Sequence, residues 1–165
     1  MAPNTHDIEA FLKLKHIAIA GISSKTSPAN AIFKKFKQNG YELYPIHPTM
    51  KEFLGVPCYK NFADIPQRIE GVFLFTSPAI TLSIVRDCLN YKPSYIWMHN
   101  MMGILTCDDN DTKIPDGSSV SIEAVNVAEE AGIKVIAGSC PMQFIEPVDI
   151  FHKCVRWFAR RKGSL

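Results

Sequence analysis

The sequence has no run approaching the roughly 18 uninterrupted apolar residues that a membrane-spanning helix requires, so no membrane span is expected. It has no strong charge of either sign. Eighteen Lys and Arg stand against sixteen Asp and Glu, a net +2, which argues against a dedicated nucleic-acid binder. It has no Cys-x-x-Cys pair. Its five cysteines (Cys58, Cys88, Cys107, Cys140, Cys154) form an odd, scattered set, which fits a reduced cytoplasmic protein better than a disulfide framework or a zinc knuckle. The polar start, Met1 to Asp7, has no cationic segment leading into a long apolar run, so no signal peptide is expected. Repeats, low-complexity tracts and linkers are missing too. A length of 165 residues predicts one domain over 1–165, large enough to bury about 70% of its unfolded surface. It leaves no room for a second catalytic domain.

What is there is an alternation of strands and helices. His16–Ala20 is a short apolar run stopping at Gly21, as a buried parallel strand does. Ser27-Pro28 then supplies an N-cap hydroxyl and a proline at the first helical position. Ala29, Ile32, Phe33 and Phe36 follow at helical spacing, and Gly40 marks the stop. Tyr41–Ile46 reads as a second strand, closed by Pro48, and Val72–Thr76 as a third. Ser77-Pro78 starts a helix carrying Ile84, Val85, Cys88 and Leu89. Tyr95–Met98 and Ile133–Ala137 are strands four and five, joined through a helix near Ser121–Ala131. The pattern predicts an α/β fold: a Rossmann-like, doubly wound parallel sheet of about five strands in three α/β/α layers. Residues 1–14 hold a leading helix, from Thr5 to Leu14, and 148–162 a closing one with Phe151, Cys154, Val155 and Phe158 on its apolar side. Gly103–Ser119 reads as a polar surface loop.

Ligands of such sheets bind outside the carboxyl ends of the strands, where strand order reverses. The first loop there is Gly21-Ile22-Ser23-Ser24-Lys25-Thr26-Ser27-Pro28. Gly21 permits a tight turn and close backbone approach, and the helix after it offers N–H groups and a positive dipole end. With serine hydroxyls and Lys25 beside them, phosphate is the expected guest. The loop is not GxGxxG. The second strand ends Pro45-Ile46-His47-Pro48 with Lys51 beyond, and no carboxylate comes before Glu52. An NAD site places an acid there for the ribose hydroxyl, so this corner suits the phosphorylated ribose of coenzyme A (CoA), with NADP as the alternative.

Gly21-Ile22-Ser23, Tyr44-Pro45-Ile46-His47-Pro48, Leu54-Gly55-Val56-Pro57-Cys58-Tyr59 and Ala63-Asp64-Ile65-Pro66 together resemble the stand-alone CoA-binding domain family. That family is itself similar to the Rossmann-like N-terminal domain of the succinyl-CoA synthetase alpha subunit. The resemblance runs from about Lys15 to Pro141 and is most specific over Gly55–Pro66. It implies CoA or acyl-CoA as ligand, with the diphosphate on Gly21, Ile22, Ser23 and Ser24 and with Lys25 and Asn30 nearby. The adenosine and its phosphate fall near His47 and Lys51, and the pantetheine passes Thr76 and Ser77 toward Met98. Two positions depart from the family pattern: His47 where asparagine is common, and Ser139 where arginine is.

Other residues carry two readings each. Cys140 lies past strand five at the ligand edge. It is either a thiol of lowered pKa that exchanges with the CoA thiol or a small buried space-filler. His99 and Asn100 follow strand four, within reach of a thioester carbonyl, but no GxSxG elbow accompanies them, and a structural role for His99 is the plainer reading. The synthetase's phosphorylated histidine belongs to a second domain, so its role does not transfer to His99 or His152. Asp108-Asp109-Asn110-Asp111 has Lys113 and Ser119 where an EF-hand requires Gly and Glu, which leaves a solvated acidic loop. Lys153, Arg156, Arg160, Arg161 and Lys162 make the closing helix basic, complementing its dipole. Its apolar side either packs on the domain or forms a homodimer with a second copy. The function expected is a non-catalytic CoA-binding module with a redox option at Cys140. The alternatives are a small enzyme, NADP-dependent or acyl-CoA-processing, or a subunit of a multi-component acyl-CoA synthetase.

Overall fold

The computed structural model describes residues 4–101, 105–106, 112–113 and 117–161. The Asp108–Asp111 cluster, Cys107 and Lys162 lie outside them. Five parallel strands make the central sheet: β1 (His16–Ala20), β2 (Glu42–Ile46), β3 (Gly71–Leu74), β4 (Tyr95–Met98) and β5 (Lys134–Ala137). Their spatial order is β2-β1-β3-β4-β5, so the order reverses between β1 and β3. The registers pair Ala20 with both Ile46 and Leu74, and Leu74 with Met98. The carboxyl ends of neighbouring strands therefore stop at one level.

Alternation along the strands divides the core in two. Ala18, Ala20, Val72, Leu74, Ile96 and Met98 face one side and are covered by helices α3 (Pro78–Cys88) and α4 (Ile122–Glu130). Ile17, Ile19, Phe73, Trp97 and Ile136 face the other, under α1 (Thr5–Phe11) and α2 (Pro28–Gln38). The Phe11 ring lies 4.6 Å from Phe73 and 5.3 Å edge-on from Trp97, so the short leading helix plugs the sheet with one aromatic residue. It ends at Phe11, a turn earlier than the sequence pattern suggests, and Asn4 caps it by accepting from the His6 N–H. Two small hairpins stand outside the sheet. One pairs Glu52–Phe53 with Val56–Pro57. The other pairs Leu105–Thr106 with Thr112–Lys113, within the segment expected to be loop.

The closing helix α5 spans Ile150–Arg161. Of the two dispositions open to its apolar side, packing on the domain is not the one seen for most of it: Phe151 is 60% exposed, Phe158 56%, and Cys154 is exposed as well. Val155 is partly buried and Ala159 is the residue that turns fully inward. The helix meets the short helical turn Pro141–Gln143 through a polar contact, Arg156 Nη1 donating to the Gln143 carbonyl at 2.7 Å.

Candidate functional site

The loop after β1 lies at the reversal point and is built around one glycine and one asparagine. Gly21 has φ +105°, and a Cβ there would stand 2.7 Å from both the Cβ and the carbonyl oxygen of Phe75, the residue after β3. The Phe75 N–H donates to the Ala20 carbonyl at 3.0 Å. The two loops therefore meet backbone to backbone, leaving a shelf that a side chain would fill. Asn30, on the first turn of α2, reaches back into the loop. Its Oδ1 accepts from the Ser23 N–H at 3.1 Å, and its Nδ2 donates to the Ser23 and Lys25 carbonyls at 2.8 Å each. The Ser23 hydroxyl accepts from the Lys25 N–H, and Ser27 caps α2 by accepting from the Asn30 N–H at 3.2 Å. Asn30 is thus the brace of the loop rather than a group free for a ligand. Ile22 is 3% exposed and anchors the loop in the core. Ser24 and Lys25 are exposed.

The neighbouring loops supply the rest. After β2, His47 Nδ1 accepts from the Thr49 and Met50 N–H groups at 3.2 and 2.9 Å. That fixes its proton on Nε2 and closes a turn in the way an asparagine oxygen does, which accounts for histidine at this position. Lys51, next along, is exposed and makes no ion pair among the described residues. After β3, the Thr76 hydroxyl pairs with that of buried Thr81 at 2.9 Å. Ser77 caps α3 by backbone alone and leaves its hydroxyl out of the cap. Met98 does not reach the site: it is wholly buried among the residues that pack α3 and α4 on the sheet. The chain places His99 and Asn100 at that edge in its stead.

Around these two lies a polar cluster of which the sequence reading saw only part. His99, Asn100, Ser118, Ser119, Ser139 and Gln143 are each 6% exposed or less, and all follow the carboxyl ends of β4 and β5 or precede α4. Asn100 Nδ2 donates to the Ser118 hydroxyl at 3.3 Å, and Gln143 Nε2 to the Met101 carbonyl at 3.1 Å. Three atoms in the cluster, His99 Nε2, Ser139 Oγ and Gln143 Oε1, are buried without a hydrogen-bond partner among the described residues. Buried polar atoms are ordinarily satisfied, so these three stand out as unused hydrogen-bonding groups at the carboxyl edge. Burial, and then His152 on α5, pushes the His99 imidazole down to about 4, leaving it neutral at pH 7. The Phe75 ring lies 4.9 Å from it and links the Gly21 shelf to the cluster. His152 in turn meets Asp149 at 2.6 Å, Nδ1 to Oδ2. Ser118, Gln143 and this pair carried no recognisable spacing in the sequence.

Cys140 belongs to the packing. It is 1% exposed, and burial pushes its thiol up to about 12. A lowered pKa, expected if it exchanges with the CoA thiol, is the opposite of what its surroundings impose. At the other edge of the sheet, a cleft of about 420 Å³ opens between the start of α1 and β5, where Asp7 and Lys134 pair at 3.1 Å. It lacks the reversal of strand order, the braced loop and the unpartnered atoms. No group of three metal-ligating side chains occurs among the described residues.

Comparison with known proteins gives the family and bears on the fold. Residues 15–145 match the model of the CoA binding domain, and the chain belongs to that family. A hypothetical protein from Pyrococcus horikoshii superposes with a TM-score of 0.73 at 30% identity, over 88% of this chain and 92% of its own. The ADP-forming acetate–CoA ligase I of Archaeoglobus fulgidus is 23% identical over 129 residues, 76% of this chain. The dinucleotide-forming acetyl-coenzyme A synthetase 1 of Ca. Korarchaeum cryptofilum shares the fold, with a TM-score of 0.60 at 22% identity over 78% of this chain and 27% of its own. The chain spans 18% of the length of the Archaeoglobus ligase. No helix among the described residues is long and apolar enough to cross a membrane.

Proposed function

We propose that this chain binds CoA or an acyl-CoA along the carboxyl edge of its sheet and acts as a binding module without turnover of its own. The observation that carries the reading is the shelf at Gly21, pressed against Phe75 and braced by Asn30 at the N-terminus of α2. A diphosphate there meets backbone N–H groups and the helix dipole, with Ser24 and Lys25 beside it. The adenosine lies toward His47, with its 3′-phosphate on Lys51. The pantetheine crosses Thr76 and Ser77, and its amide or thioester end reaches the neutral donors and acceptors around His99. The lone imidazole there, held to about 4 by burial, is a poor general base at neutral pH. Cys140 supports packing, and a mixed disulfide with CoA would require the closing segment to open first.

Calorimetric titration with CoA, 3′-dephospho-CoA, NADP and NAD tests the reading. CoA is expected to bind most tightly, and Lys51→Ala to weaken CoA about tenfold while sparing dephospho-CoA, a loss of one charge-assisted phosphate contact. Equal affinity for CoA and dephospho-CoA would remove Lys51 from the site, and tighter NADP would overturn the ligand assignment. A second reading rests on the ligase relatives, of which this chain matches only a fraction: a subunit serving partner chains that supply the remaining chemistry. Affinity purification of the chain from its own cells, followed by an ADP-forming ligase assay, separates the two.

A further inference from the structure

The face that α5 turns outward is the least explained surface of the molecule. Ile150, Phe151, Trp157 and Phe158 are each half exposed or more, at 81%, 60%, 50% and 56%. At 100° per residue they fall with exposed Cys154 on one stripe of the helix. His152, Val155, Arg156 and Ala159 occupy the opposite side, against the domain. Taking about 150–250 Å² for an aromatic side chain, the stripe exposes roughly 500 Å² of apolar surface, near the upper end for a monomer.

We infer that this stripe is a self-association surface and that its occupant is a second copy of this chain, the two α5 helices packing antiparallel about a two-fold axis at Cys154. The spacing itself is symmetric. Ile150 and Phe151 lie four and three residues before Cys154, and Trp157 and Phe158 lie three and four after it. A two-fold axis there sets Ile150 on Phe158 and Phe151 on Trp157, twice over, as an isologous interface requires. Charge agrees with the antiparallel sense. Glu146 and Asp149 precede the helix, the latter already paired with His152, and Arg160 and Arg161 close it, so in the antiparallel sense the acidic flank of each copy lies toward the basic end of the other, and the helix dipoles oppose favourably. The stripe with its charged rim approaches the ~800 Å² per partner of a standard interface. Arg161 already lies 4.5 Å over the Trp157 ring, capping one end of the stripe.

Light scattering on the full-length chain at about 50 μM is the test. The expected mass is twice the 18.5 kDa of the chain, falling to that of a monomer in Trp157→Glu and in Phe151→Glu. Diamide, which takes two electrons and two protons from a thiol pair, should join two copies through a Cys154–Cys154 disulfide identified by peptide mapping. Cys154→Ser should abolish that bond and leave the dimer. The mapping uses the unmodified chain, so it decides the matter even where a glutamate variant fails to fold. A monomer at 50 μM, a dimer that survives both glutamate variants, or diamide-linked dimers joined only through other cysteines would each overturn the assignment. So would a monomer that sediments with anionic vesicles and loses this in Trp157→Glu, since the stripe would then be a lipid contact.

Discussion

Gly21 and His99 are the two residues whose surroundings make the sharpest demands. Gly21 combines a positive φ with a neighbour 2.7 Å from where a Cβ would stand, and that neighbour is partly backbone. Gly21→Ala is therefore expected to cost at least about 2 kcal/mol, from strain and displacement of the Phe75 loop. A fall in melting temperature of about 5 °C or more and loss of CoA binding should appear together. Asn30→Ala removes the brace but leaves the core whole. It should weaken CoA at least about tenfold while costing only about 1–2 kcal/mol of stability, a split read by calorimetry beside urea unfolding. His99 governs acid sensitivity. Its folded-state pKa, about 4, lies below its ordinary 6.5, so between these values the unfolded chain takes up a proton that the folded one refuses. Stability must then fall as pH drops from about 6.5 to 4, by about 3 kcal/mol in all. Glu70, held low by the His16 and Lys15 N–H groups, begins to lose its contribution as pH falls below its ordinary 4.5, and Asp149, held low by His152, as pH falls below its ordinary 3.8. His99→Gln should flatten the slope between pH 6.5 and 4.5 in urea unfolding and leave the steeper loss below it. Gly21 was legible in the sequence because a glycine ending an apolar run has few other uses. Asn30 as a brace was not, since its partners are backbone groups five and seven residues away that only a folded loop brings to it.

At the scale of elements, two helix starts that read alike differ in the structure. Ser27-Pro28 and Ser77-Pro78 share one dipeptide, but the Ser27 hydroxyl caps α2 while that of Ser77 makes no cap bond. Ser27→Ala is expected to cost about 1 kcal/mol, and Ser77→Ala less than about 0.5. If the pantetheine passes Ser77, the second variant instead loses CoA affinity, so stability and binding move in opposite order for the two serines. The strands were legible almost to the residue, because buried parallel strands are short apolar runs between breakers and the sequence has five of them. The hairpin at Glu52–Pro57 was not, being two residues a side and too short for any periodicity. α5 was legible as amphipathic, but a hydrophobic stripe states only that something covers it, not that the covering is the same domain.

The whole molecule offers two edges to a ligand, and its topology distinguishes them. At the carboxyl edge, the reversal between β1 and β3 sends one crossover to each side, so the chains leaving Ala20 and Leu74 touch at Gly21 and Phe75 and then diverge to α2 on one face and α3 on the other, with the N-terminus of α2 above their meeting point. At the amino edge, the strands begin beneath helix C-termini, and the cleft between α1 and β5 is crossed by the Asp7–Lys134 pair. The end of α4 and the carboxylates of Asp7 and Glu129 line it, which disfavours an anion such as CoA. Hydrogen exchange with and without saturating CoA should therefore slow at 21–30, 47–51 and 76–81, where loop backbone is proposed to meet the nucleotide. It should remain unchanged at 4–7 and 129–135. At 100 times the dissociation constant, binding also adds about 2.7 kcal/mol to folding, spread through every amide that exchanges only by global unfolding, so the slowest core amides of β1 and β3 should gain protection as well. Protection confined to the amino edge would move the ligand to the cleft and leave the braced loop without a guest. Protection at both edges would mean that closing the crevice is felt through the sheet, and Asn30→Ala should then erase both.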